Sequence, residues 1–154
     1  ARYDSLGASH VRIKNVRVFS NGIGIRLNNH GWVSDCTVAL SSSYGIHVVD
    51  SLNRIEDCTV VDSGSSGIYV TGSHNRIDGV QVIRNNTSST PGEAQVKIAG
   101  SKNELRRSTA SATTGASNGL FVAGGNMIAD TVYCGYDPLD AVGGTQFIGL
   151  VQLC

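Results

Sequence analysis

The chain has 154 residues, with twelve basic and twelve acidic side chains and a formal charge of zero. It carries no basic run and no net field to draw in phosphates, so nucleic acid is not an expected partner. Nineteen Gly, two Pro and many Ser, Thr, Asn, Val and Ile describe a single all-β domain, residues 1–154, with frequent corners rather than a disordered chain.

No apolar run approaches the ~20 residues that span a bilayer, and no membrane partner is expected. The opening Ala1-Arg2-Tyr3-Asp4 lacks the marks of a signal peptide, which leaves room for a mature or excised part of a secreted protein.

In chain order, the same pattern returns about every 22 residues. The first rung, 9–29, places Ile13, Val16 and Val18 in one block and Ile25 and Leu27 in a second. Rung two, 30–50, repeats this with Val33, Cys36, Val38, Ile46 and Val48, and rung three, 51–72, with Ile55, Cys58, Val60, Ile68 and Val70. Rung four starts with Ile77, Val80 and Val82 and then detours through residues 85–94 before Val96 and Ile98, which stretches the period to 28 residues between Ile77 and Leu105. Rung five keeps Leu105, Leu120 and Val122 but has the smaller Ser108 and Ala110 at two inward positions, and rung six opens with Ile128. Regular rungs span 9–133, and an irregular capping tail is expected over 134–154, with Phe147, Ile148, Leu150, Val151 and Leu153 as a lid on the last rung. Only eight residues precede the first rung, so its cover is expected from another chain or from more of the same solenoid.

A fixed period of this length marks a solenoid, read here as two short strands and two turns per period, with a bend implied by the skip from Ile55 to Cys58. Five or six inward aliphatics per rung, at about 1.5–3 kcal/mol each, cannot offset the ordering of some twenty residues at about 1–2 kcal/mol each. Only rungs covered above and below are stable.

Stacking turns equivalent letters into neighbours. Asn53, Asn75, Asn103 and Asn126 share a corner where amides can bond along the stack. Cys36 and Cys58 share an inward position that suits small buried thiols, and strand spacing would also permit a disulfide between them. Cys134 and Cys154 flank the tail and are candidates to staple it in an oxidising compartment. His10, His30 and His74 share a corner interrupted by Leu52, which is poor ligand geometry, and zinc-type Cys spacing is absent; no metal and no cofactor is expected.

The phrases Ser-x-Asn-x-Ile, Ile-x-x-Cys-x-Val and Ser-x-Gly-Ile-x-Val resemble the right-handed parallel β-helix of the pectate lyase-like superfamily, most like a β-helix domain of a bacteriophage tailspike. The resemblance covers residues 9–133 and implies an all-β, right-handed parallel β-helix of about six rungs. Its enzymes act on polysaccharides, and other members are adhesins and phage tailspikes, so function must be argued from the site. Arg12-Ile13-Lys14 repeats in letters the Arg-Ile-Lys of polygalacturonases, yet the Asn-Thr-Asp, Asp-Asp and Gly-His-Gly elements that accompany it there are absent.

Two outward rows are candidate sites. Arg26, His47, Tyr69, Lys97 and Phe121 align in the second block and mix cations with aromatic rings, a pattern suited to an acidic polysaccharide, with an ordinary solvated face as the competing reading. Asp35, Asp57, Glu56 and Asp78, with Arg106 and Arg107 one rung on, place carboxylates side by side as glycosidases require, although acids at strand ends commonly just form turns. If catalytic, one of these acids should have a raised pKa and sit in a groove. The inserted loop holds two glycosylation sequons, beginning at Asn85 and Asn86, and is a candidate groove wall. The expected protein is a homotrimeric domain of a phage tailspike, fibre or secreted surface protein, extracellular or on a virion, that recognises cell-surface polysaccharide. The alternatives are a polysaccharide lyase or hydrolase and a purely structural spacer.

Overall fold

A computed structural model of the chain describes residues 3–4, 10–112, 118–134, 139–149 and 152–153. All of its strands are parallel and lie in three seven-stranded sheets, and among the described residues there is no helix. The chain visits the sheets in fixed order. Sheet 1 contains Trp32–Ser34, Arg54–Glu56 and Arg76–Asp78; sheet 2 contains Thr37–Ala39, Thr59–Val61 and Gln81–Ile83; sheet 3 contains Ile46–Val48, Ile68–Val70 and Ala94–Ile98. A turn therefore holds three strands, not two. The bend implied between Ile55 and Cys58 is the corner that separates sheet 1 from sheet 2.

Register follows the repeat without slippage. Val33 pairs with Ile55, Ile55 with Ile77, and Ile77 with Leu105 across the stretched period. These residues, with Val38, Val60, Val82, Ile46, Ile68 and Val96, form columns along one continuous core and are at most 1 % exposed. Three-residue strands permit this because the central residue of sheets 1 and 2 points in, while in sheet 3 the two outer residues point in and the central one points out.

The corners use left-handed backbone at repeated positions. Asn15, Asp35, Asp57, Gly79, Arg107 and Asp130, with φ between 45° and 66°, form the column between sheets 1 and 2. Asp35 N–H donates to the Glu56 carbonyl, and Asp57 N–H to that of Asp78, so each corner is bonded to the next turn. Glycine is required at the entry to sheet 3: a Cβ on Gly45 or Gly67 would collide with the next turn's Val60 or Val82. That contact explains the Gly-Ile-x-Val phrase.

The asparagine ladder forms as expected. Asn75 Oδ1 accepts from the Asn53 backbone and side-chain amides at 2.8 and 3.0 Å, and Asn103 Oδ1 does the same for Asn75 at 2.9 and 3.1 Å. Cys36 and Cys58 are free thiols in the core, and burial pushes the Cys58 thiol up to about 12. The pairing expected of Cys134 and Cys154 falls on side chains outside the described part.

In the tail, the described residues carry strands rather than an irregular lid. Leu139–Val142, Gln146–Ile148 and Gln152–Leu153 each add a parallel strand to one of the three sheets. Phe147 pairs with Ile128 in the sheet 1 core column, yet it is 42 % exposed because no described strand stacks beyond it. The letters concealed this extension because Thr145 stands where earlier turns have the ladder asparagine, and Gly149, at positive φ, takes the corner that Asp130 holds one turn earlier.

Candidate functional site

The outward row predicted on sheet 3 exists in register. Arg26 pairs with His47, His47 with Tyr69, Tyr69 with Lys97, and Lys97 with Phe121, one strand spacing of ~4.8 Å apart. All five are half-buried. Their rings face one another along the stack: His47 and Tyr69 are parallel within 10° at 5.1 Å between centroids. The Lys97 ammonium covers the next faces, 5.3 Å from Tyr69 and 5.6 Å from Phe121. His47 and Lys97 thus cover the ring faces of Tyr69, which leaves its edge and hydroxyl to face outward.

Two residues that the repeat did not reveal complete the cluster. Tyr44 lies just before Gly45 and leans on both rings, 5.1 Å from His47 and 4.9 Å from Tyr69. Glu93, at the end of the inserted loop, is almost fully buried and accepts from Lys97 Nζ at 3.0 Å, while its other oxygen accepts from the Ser66 hydroxyl and backbone N–H. Burial, reinforced by Glu93 and Tyr69, holds the Tyr44 hydroxyl above its usual range and keeps it protonated. Burial next to Arg26 lowers the pKa of His47, and neither ring nitrogen has a hydrogen-bond partner. Tyr44 was visible only as an aromatic beside a structural glycine. Glu93 lies where the period breaks, and equivalence between turns gives no guide there.

The acidic candidates are neighbours as the register required, but Asp35, Glu56 and Asp78 are tied into ion pairs. Glu56 pairs in register with Asp78, accepts from the Trp32 indole at 3.0 Å and contacts Arg54 at 2.6 Å. Asp78 accepts from Arg107 at 2.8 Å and from Arg76 at 3.1 Å, and these guanidinium groups hold its carboxyl below the usual carboxylate range. That is opposite to what a general acid needs. Asp35 and Asp57 occupy left-handed corners, with Lys14 at 3.6 Å from Asp35. Trp32 was not singled out by the sequence; Arg12 stacks on it at 3.9 Å, with Arg54 at 5.8 Å.

The histidine corner is also built in register, with His10 and His30 rings stacked at 4.8 Å. In the inserted loop, Asn85 and Asn86 are 1 % exposed. The Asn86 amide bonds Thr90 in both directions, and the Asn85 amide bonds Gln95, Val60 and Ile83. Neither asparagine is presented as a glycosylation acceptor in the folded chain, which corrects the expectation from the sequons.

Short parallel strands wound in three sheets around a dry aliphatic core define a parallel β-helix of the pectate lyase and phage tailspike kind. Pectate lyase Pel9A superposes with a TM-score of 0.60 at 16 % identity over 81 % of this chain and 40 % of that one. Full-length tailspike protein 2 from Escherichia coli O157:H7 bacteriophage CAB120 gives 0.64 at 13 % identity over 92 % of this chain and 22 % of that one. The enzymatically active domain of bacteriophage CBA120 tailspike protein 2 gives 0.62 at 16 %, covering 98 % and 26 %. The chain thus spans less than half of these proteins, and at such identities the likeness establishes the winding. No curated protein sequence matches. Residues 3–133 match the model of NosD, described as a periplasmic copper-binding protein, and the chain belongs to that family.

The donor set does not fit the copper in that description. Among the described residues no three His, Cys, Asp or Glu side chains converge. Both core thiols lie among aliphatic side chains, burial disfavours the Cys58 thiolate a soft metal would need, and the stacked His10 and His30 imidazoles turn their faces to each other.

Proposed function

We propose that the chain is the polysaccharide-recognising β-helix portion of a protein that works outside the cytoplasm, on a secreted surface or a virion. The observation that carries this reading is the in-register row Arg26, His47, Tyr69, Lys97 and Phe121, completed by Tyr44 and Glu93. It lies along the solenoid axis, where a polymer can follow it from turn to turn. The proteins of like fold support the substrate class, since one is a pectate lyase and two are tailspikes, and the family description supports a periplasmic or more distant location. A homotrimer is the assembly this reading expects, with the exposed Phe19 and Leu40 on and beside sheet 2 as apolar surface for it to cover.

The test is affinity electrophoresis through gels cast with single soluble polysaccharides, with sedimentation of the same sample. Retention by at least one polymer, lost in Tyr69→Ala, supports the proposal. No retention by any polymer, or retention unchanged by Tyr69→Ala, overturns it. The polysaccharide-cleaving alternative requires reducing ends or unsaturated sugars to appear and to vanish in Asp57→Asn.

A further inference from the structure

Given the proposed binding face, we infer that its ligand is an uncharged polysaccharide rather than a uronate- or sulfate-bearing one. In a linear reading the row is basic, with Arg26 and Lys97 on either side of His47 and Tyr69. The fold removes that character.

Lys97 does not face solvent as a free cation. Its ammonium is 3.0 Å from Glu93 Oε1, both side chains are largely buried at 18 % and 10 % exposure, and the Glu93 carboxylate is fixed by Ser66. A ligand carboxylate approaching Lys97 would have to displace or tolerate an existing carboxylate. The two would repel at a site where water screens poorly.

Arg26 keeps its charge at the far end of the row, three strand positions from Lys97, and among the described residues of the row nothing else adds positive charge at neutral pH. His47 is neutral, lowered first by burial and then by Arg26, and Tyr44 remains a protonated hydroxyl. Tyr44 and Tyr69 bring hydroxyls, groups that both donate and accept and so match sugar hydroxyls without requiring a counter-charge. The inserted loop thus sets the charge class of the site: it delivers the carboxylate that neutralises the lysine of its own turn.

The experiment compares retention of the intact chain by neutral polymers (dextran, galactomannan, xylan) with retention by polygalacturonate and alginate, at neutral pH and low salt. Stronger retention by a neutral polymer supports the inference. Equal retention, or stronger retention by the acidic polymers, overturns it while leaving polysaccharide recognition standing; retention by none overturns both. A second arm uses Glu93→Gln, which preserves an acceptor for Ser66 but frees the ammonium. It should raise affinity for polygalacturonate roughly tenfold, the change expected from removing one repulsive charge of about 1.4 kcal/mol, and so shift the preference toward the acidic polymer. No gain in the folded variant counts against charge compensation by Glu93.

Discussion

The imidazole of His47 lies flat against the ring of Tyr69, 5.1 Å between centroids and 10° from parallel, with both ring nitrogens buried and unbonded. Protonating His47 in this setting places a cation beside Arg26 without an acceptor, and its folded pKa is accordingly below the unfolded value. The unfolded chain therefore binds the proton more readily. Stability that is complete above the unfolded histidine pKa, ~6.5, should decline as pH falls through it toward the folded value. Thermal melting between neutral pH and pH ~5 should show this slope, and His47→Phe should flatten it. An unchanged slope in the variant would assign the effect to other groups.

Asp78 carries a carboxylate dependence of the same sign in a lower window. Arg107 and Arg76 depress its folded pKa, so its contribution is present above the unfolded aspartate value, ~3.9, and is lost as pH falls further toward the folded value. Asp78→Asn should lower the melting temperature at neutral pH and weaken its acid dependence below pH ~4. A variant as stable as the parent at neutral pH would show that the pairing contributes nothing.

Removing Asn75 interrupts the ladder at both neighbours, since its carbonyl oxygen serves Asn53 and its amide reaches Asn103 and Asp50. Asn75→Ala should cost about 1–3 kcal/mol in urea unfolding, the range for leaving a buried donor unsatisfied. Asn29→Ala, at an exposed corner with one amide contact to Ser51, should cost less.

Cys36 and Cys58 should resist iodoacetamide in the folded chain and react only after unfolding, as read by mass spectrometry of their peptides. Both thiols are at most 2 % exposed and out of the reagent's reach, and Cys58 is also pushed up to about 12, so little of its thiolate is present to attack. Rapid labelling at neutral pH without denaturant would contradict the core placement.

The rungs were legible because identical letters recur at a constant interval: Ile55 and Ile77 occupy the same column for the same reason, and Asn53, Asn75 and Asn103 each follow a left-handed residue, Leu52, His74 and Lys102. The sheet 3 row followed from that register alone. Its chemistry did not. Glu93 sits in the aperiodic segment, and the mutual stacking of His47 and Tyr69 depends on side-chain orientation, which spacing does not encode. The acidic pairs were likewise placed correctly, but their guanidinium partners Arg76 and Arg107 come from two different turns, and letters show neighbours without showing which ones clasp.

Ile77 and Leu105 stay in register although the period between them is 28 residues, against 22 between Ile55 and Ile77. The winding at this corner is therefore indifferent to what is threaded through it. A foreign peptide grafted between Thr87 and Gly92, clear of Glu93, would be displayed beside the binding face while every neighbouring strand kept its place, making this corner the natural port for re-engineering what the solenoid recognises.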